Sequence, residues 1–118
     1  MATPEGRMKA KVTRMLKSFG EDVWYFYPGN NGFGKSGVPD IIACAHGVFF
    51  GIEVKADETK TATKLQELQG SRIERAGGYW FLVRSEEDVE TVATAISEIK
   101  EIVATQELML KEPDCVHH

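Results

Sequence analysis

A chain of 118 residues, 42% hydrophobic and 27% charged, is one domain's worth of protein with enough apolar material for a core and too little length for a complete P-loop NTPase. It has no apolar run able to span a bilayer and no signal-peptide core, and its two distant cysteines, Cys44 and Cys115, fit neither a disulfide framework nor a zinc site, so an intracellular, cytoplasmic protein is expected. The formal net charge of −4 is unevenly spread: residues 1–80 hold 11 Lys/Arg against 9 Asp/Glu and residues 81–118 hold 3 against 9, so the acidic end does not exclude an anionic partner for the first part.

The first predicted element is a helix: Thr3 as N-cap, Pro4 at the first position and Glu5 in the first turn, with Met8, Val12, Met15, Leu16 and Phe19 as an apolar stripe and Gly20 as the stop. "VWYFY" (23–27) reads as a strand and Pro28 to Gly37 as a Gly/Asn-rich loop. "PDIIACA" and "VFFGIEVK" are two further strands around a His46-Gly47 turn. Thr63 to Ala76 is helical and ends at Gly77-Gly78. "YWFLVR" is apolar throughout, the pattern of a central strand buried on both faces. Ser85 then caps a long helix through Val89, Val92, Ala93, Ile96 and Val103, with Asp88 at the capping-box position. The order α-β-β-β-α-β-α predicts an α/β fold, a mixed sheet flanked by helices, with residues 1–110 as a single domain and 111–118 as a loose tail.

Gly29 to Ser36 matches G-x-x-x-x-G-K-[ST], the pattern of a phosphate-cradling loop. Such a loop must run from a strand into a helix, whose first amides hold the phosphates. Here Ser36 is followed by Gly37-Val38-Pro39 and then by β-branched Ile41-Ile42, and Pro39 biases Val38 away from helical dihedrals. No nucleotide cofactor is expected, and Lys35 is left to face solvent or a phosphate backbone.

Counting outward from a two-residue turn at His46-Gly47 brings Asp40 opposite Glu53; a three-residue loop would leave them diagonal. Two opposed carboxylates repel unless a divalent cation lies between them, and oxygen donors suit Mg²⁺ or Mn²⁺. Strand alternation puts Gly51, Glu53 and Lys55 on one face, with Gly51 keeping that face open, so an ammonium stands beside the two acids. Glu5 falls on the apolar stripe of the first helix, where it could reach the same cleft. The opposite side of that helix carries Arg7, Lys11 and Arg14 with Lys9 and Lys17 nearby, either a solvated face or a phosphate-tracking stripe.

Together, "GVPDII", the hairpin, "GIEVK" and "TKLQ…RAGG" resemble the VRR-NUC family of the PD-(D/E)xK nuclease superfamily over roughly residues 5–84. The resemblance implies a restriction-endonuclease-like core that hydrolyses DNA phosphodiesters with Mg²⁺ or Mn²⁺. It implies Asp40, Glu53 and the Val54 carbonyl as metal ligands, Lys55 as the catalytic lysine, Glu5 as a first-helix acid of the site, and Gln66 as the family's glutamine. A helical wheel leaves Gln69 as an alternative, because it lies mid-stripe among Leu65, Leu68 and Ala76. Lys9, Lys11, Arg14, Lys35, Lys60 and Lys64 are the expected contacts to DNA. Small members of the family resemble Holliday-junction resolvases, which implies branched DNA as substrate and a homodimer, with "WYFY" able to supply its surface. The alternatives are a DNA-binding module without catalysis and a phosphodiesterase acting on small substrates.

Overall fold

The computed structural model describes residues 2–29 and 36–111. Helix α1 (Pro4–Ser18) starts on Thr3, whose hydroxyl accepts from the Gly6 N–H at 2.9 Å, and buries Val12 and Leu16 with Met8, Met15 and Phe19 packed at their side. A single 3-10 turn, Gly20–Asp22, leads into β1 (Val23–Phe26), and Gly20 takes a positive φ of 62°. Strands β2 (Ile41–Ala45) and β3 (Val48–Val54) form the hairpin. Helix α2 (Lys64–Arg75) opens with a complete capping box between Thr63 and Gln66. β4 (Tyr79–Val83) and α3 (Glu86–Leu110) follow, α3 capped by Ser85, with Asp88 Oδ2 accepting from the Arg84 N–H. The order expected from the sequence, α-β-β-β-α-β-α, is the order observed.

The sheet runs β1-β2-β3-β4, the first three strands antiparallel and β4 parallel to β3, joined to it by the α2 crossover. One face buries Ile41, Ala43, Ala45, Phe50, Ile52, Val54 and Val83 against Val12 and Leu16 of α1 and Val92 and Ile96 of α3. This is the two-layer burial that holds the domain together. The other face is covered by α2 over β3 and β4, while on β1 and β2 it exposes Trp24, Phe26 and Cys44. No helix of the described residues is long and apolar enough to cross a membrane.

Two expectations need correction. "YWFLV" is not a central strand: β4 lies at the sheet's edge, with Tyr79 39% exposed. Its apolar character comes from packing on both faces, Trp80 against α2 and Phe81 in a stack with Phe50, rather than from strands on both sides. Nor does α2 bury Leu65, Leu68 and Ala76, which are exposed. It turns Gln66, Gln69, Gly70 and Ile73 inward. The reason is Gly70, where a Cβ would come within 2.5 Å of the Trp80 ring, so a bare backbone lets the helix approach the sheet and sets its rotation.

Candidate active site

His46 and Gly47 have φ of 53° and 83°, both positive as a tight type I′ turn requires, and the turn is closed by the Ala45↔Val48 pair. The register then runs Cys44↔Phe49 to Ile41↔Ile52, so the next pair outward is Asp40 with Glu53. Asp40 sits one residue before β2 and folds its carboxylate back onto the hairpin, where Oδ2 accepts from the Val54 N–H at 2.8 Å. Its other oxygen, Oδ1, lies 3.9 Å from the Lys9 ammonium.

Glu53 is the buried charged side chain of the described residues, only 3% exposed. Gln66 Nε2 donates to its Oε2 at 2.7 Å, while Gln66 Oε1 accepts from the Thr63 N–H at 2.8 Å, so the capping box of α2 aims this amide at the sheet. Among the described residues, the buried Glu53 Oε1 has no hydrogen-bond partner. Burial, then the adjoining Asp40 carboxyl, then the charge of Glu5 push the Glu53 pKa up to about 8, and the Lys55 ammonium opposes them only in part. Lys55 follows β3 directly, half-buried, with its N–H held by Val83 O at 2.9 Å.

Asp40, Glu53 and Gln66 line a polar hollow of about 300 Å³, walled also by Lys9, Tyr27, Gly37 and Pro39, among others. In the sequence Tyr27 is only the end of an aromatic strand. Its hydroxyl pairs with Thr13 Oγ1 of α1 and so ties that helix to the mouth of the hollow. Gly37, a loop residue by sequence, has φ of 76°, and a Cβ there would sit 2.4 Å from Leu65 O. Gly37→Ala should lower stability by about 1–3 kcal/mol. It should also separate the strap before Asp40 from the first turn of α2, read as a lower Tm and faster amide exchange in that turn.

The structure qualifies several other expectations. Gly51 does not keep its face open: Pro39 and Ile73 side chains both lie 2.9 Å from where its Cβ would be, so the floor is packed. Glu5 is exposed, close enough to act on Glu53 through its charge but not to complete a cage. Among the described residues no three Asp, Glu, His or Cys side chains converge to hold a metal ion. Gln69 does not reach Glu53; its amide donates to Ser36 O at 3.2 Å. Lys11 turns away and pairs with Glu86 of α3 at 3.6 Å. Arg14 lines a groove with Lys9, Lys17 and Tyr27 that adjoins the hollow. Lys60 and Lys64 are exposed at the start of the crossover, and the Lys60 carbonyl receives Arg84 Nη1 at 2.9 Å. Lys35 lies outside the described residues. From Ser36 to Asp40 the chain is not helical and passes into β2, a path unlike that of a phosphate-cradling loop.

A mixed four-stranded sheet flanked by helices, with an acid pair at the mouth of its central hairpin, defines a restriction-endonuclease-like fold of nuclease type. A solved structure described as a VRR_NUC domain superposes on the chain with a TM-score of 0.66 and 27% sequence identity, covering 77% of this chain and 95% of that one. No family model and no curated protein matches the sequence. The chain is thus similar to a VRR-NUC domain in both fold and sequence, and the likeness supports membership of that family. VRR-NUC domains are nucleases, so the likeness supports, in coarse terms, a hydrolase role.

Proposed function

We propose that the protein is a Mg²⁺- or Mn²⁺-dependent endonuclease that hydrolyses DNA phosphodiesters in Holliday junctions or other branched DNA, acting as a homodimer in the cytoplasm. The observation that carries this reading is Glu53: a carboxyl group buried beside Asp40, with one oxygen fixed by Gln66 and the other without a partner among the described residues. A purely structural sheet gains nothing from such a pair, whereas a hard cation reverses the repulsion and uses the orphaned oxygen. Asp40 Oδ1, Glu53 Oε1 and the Val54 carbonyl would hold the ion. Two carboxylates are a sufficient protein share for Mg²⁺, which keeps several waters.

Bound there, the cation would supply Lewis-acid stabilisation of a phosphoryl oxygen and a more acidic water. The chain's own groups do the rest. Gln66 locks the Glu53 rotamer, and the Val54 N–H locks that of Asp40, so neither carboxylate reorganises during the reaction. Lys55 contributes a fixed positive charge to the phosphoryl oxygens as water attacks in line. Lys9, Arg14 and Lys17 attract the backbone of the substrate strand. The direct test is incubation of the purified protein with labelled four-way, flap, duplex and single-stranded DNA in Mn²⁺ and in EDTA. Metal-dependent cuts near a branch point are expected. Salt-sensitive binding without cuts would mean a DNA-binding module, and hydrolysis of a small phosphodiester without DNA binding would mean a different phosphoesterase.

The exposed face of β1 and β2 supports a second copy. Trp24 (64% exposed), Cys44 and Phe49 (41%) are consecutive cross-strand partners on that face, with Phe26 (42%) beside Trp24 at a ring distance of 5.3 Å. An uncovered apolar patch of this kind is rare on a monomer. It carries no charge, so a two-fold related copy meets no like charge across the axis. Trp24→Glu places two acids at that contact, and sedimentation should show a shift from dimer to monomer with the fold retained.

A further inference from the structure

We propose that Lys9 is the resident counter-ion of Asp40 in the metal-free protein, that a divalent cation displaces it, and that the freed ammonium then contacts a phosphate of the strand being cut. The inference rests on the nuclease reading above and assigns to Lys9 a role at the site itself, beyond general attraction of DNA.

Asp40 has two oxygens with different company. Oδ2 is committed to the Val54 N–H at 2.8 Å, which leaves Oδ1 for a cation, and Oδ1 is the oxygen that Lys9 Nζ covers at 3.9 Å. A divalent ion on Oδ1 and an ammonium at that distance from the same atom repel one another. One of them has to leave, and the ammonium is the one on a flexible four-carbon stem. The base of that stem is well anchored. The Thr13 hydroxyl, one turn along α1, donates to the Lys9 carbonyl at 3.0 Å and also pairs with the Tyr27 hydroxyl, tying the helix at this point to the end of β1.

The destination is equally constrained. Lys9 and Tyr27 line both the hollow that holds Asp40 and Glu53 and the adjoining groove that carries Arg14 and Lys17. An ammonium that swings off Asp40 therefore stays at the junction of the two, where a phosphate backbone following the basic groove enters the hollow. Lys55, by contrast, is not among the residues that line either one. The two lysines thus divide the work: Lys55 stands at the end of β3, where its backbone N–H is held by Val83 O, and Lys9 moves with the occupancy of Asp40.

Removing Lys9 has opposite effects on cation and substrate, a pattern that a merely structural ion pair does not produce. In Lys9→Met the competitor for Asp40 is gone, so calorimetry on metal-free protein should show Mg²⁺ bound about threefold more tightly than in the wild type. Single-turnover cleavage of a branched DNA at saturating Mg²⁺ should nevertheless be slower by about tenfold or more. Lys9→Arg keeps the charge and should recover most of that rate. A wild type that cuts DNA, together with a Lys9→Met protein of unchanged or weaker Mg²⁺ affinity or of unchanged cleavage rate, overturns the role of Lys9 alone. A wild type that neither binds Mg²⁺ nor cuts overturns the nuclease reading and this inference with it.

Discussion

Asp40→Asn and Lys55→Ala should each reduce cleavage of branched DNA by about a thousandfold or more while leaving the fold intact. Both substitutions are chosen so that the local structure has no reason to change. An asparagine at position 40 can still accept from the Val54 N–H, the bond that folds this side chain onto the hairpin, so only the charge offered to a cation is lost. At position 55 the bond that ends the sheet is made by the backbone N–H to Val83 O, which alanine preserves. The measurement is single-turnover cleavage of a labelled four-way junction in Mn²⁺, with circular dichroism and junction binding in EDTA as controls. Wild-type rates in either variant would remove that residue from the catalytic assignment.

The second large effect concerns stability in the absence of metal. A free glutamate carboxyl ionises near 4.5 and Glu53 in the fold near 8, so between these values the native state holds a proton that the unfolded chain has lost. The sign follows: the metal-free protein is most stable on this account below about pH 4.5, loses stability as pH rises towards 8, and changes little beyond. Glu53→Gln keeps the shape and can still accept from Gln66, but it has no charge to desolvate. Each unit of pKa difference corresponds to about 1.4 kcal/mol. Even one unit recovered would raise Tm by about 4 °C at pH 8 in a domain of this size. The variant should therefore be the more stable protein at pH 8 and about equal at pH 4, while Mg²⁺ should raise the Tm of the wild type only. Thermal melts at the two pH values, with and without Mg²⁺, check all three statements. A wild type as stable as Glu53→Gln at pH 8 would mean that the carboxylate is not strained by its burial.

Most of the fold is legible in the chain because its signals are local. Thr3, Thr63 and Ser85 announce the helix starts, and the α1 and α3 stripes repeat at helical spacing. His46-Gly47 names its own turn, and once a two-residue turn is accepted the pairing of Asp40 with Glu53 follows by counting. The failures have a common cause. "YWFLV" reads as central because periodicity reports how apolar a strand's surroundings are, not whether they are strands or helices. The α2 wheel pointed to Gln69, Leu65 and Leu68 because hydrophobicity scales give no weight to an absent side chain, and it is the absent side chain of Gly70 against Trp80 that turns the helix.

The identity and spacing of the chemical groups, two acids and a lysine on adjoining antiparallel segments, were written in the order of residues, since a strand's period of two and a hairpin's register are properties of the backbone. Which oxygen of Asp40 is committed and which is open, how deeply Glu53 is buried, which glutamine meets it, and that Lys9 rather than Lys11 faces the acids all depend on how α1 and α2 settle against the sheet. Those are packing outcomes, set by contacts between residues far apart in the chain, and no local period encodes them.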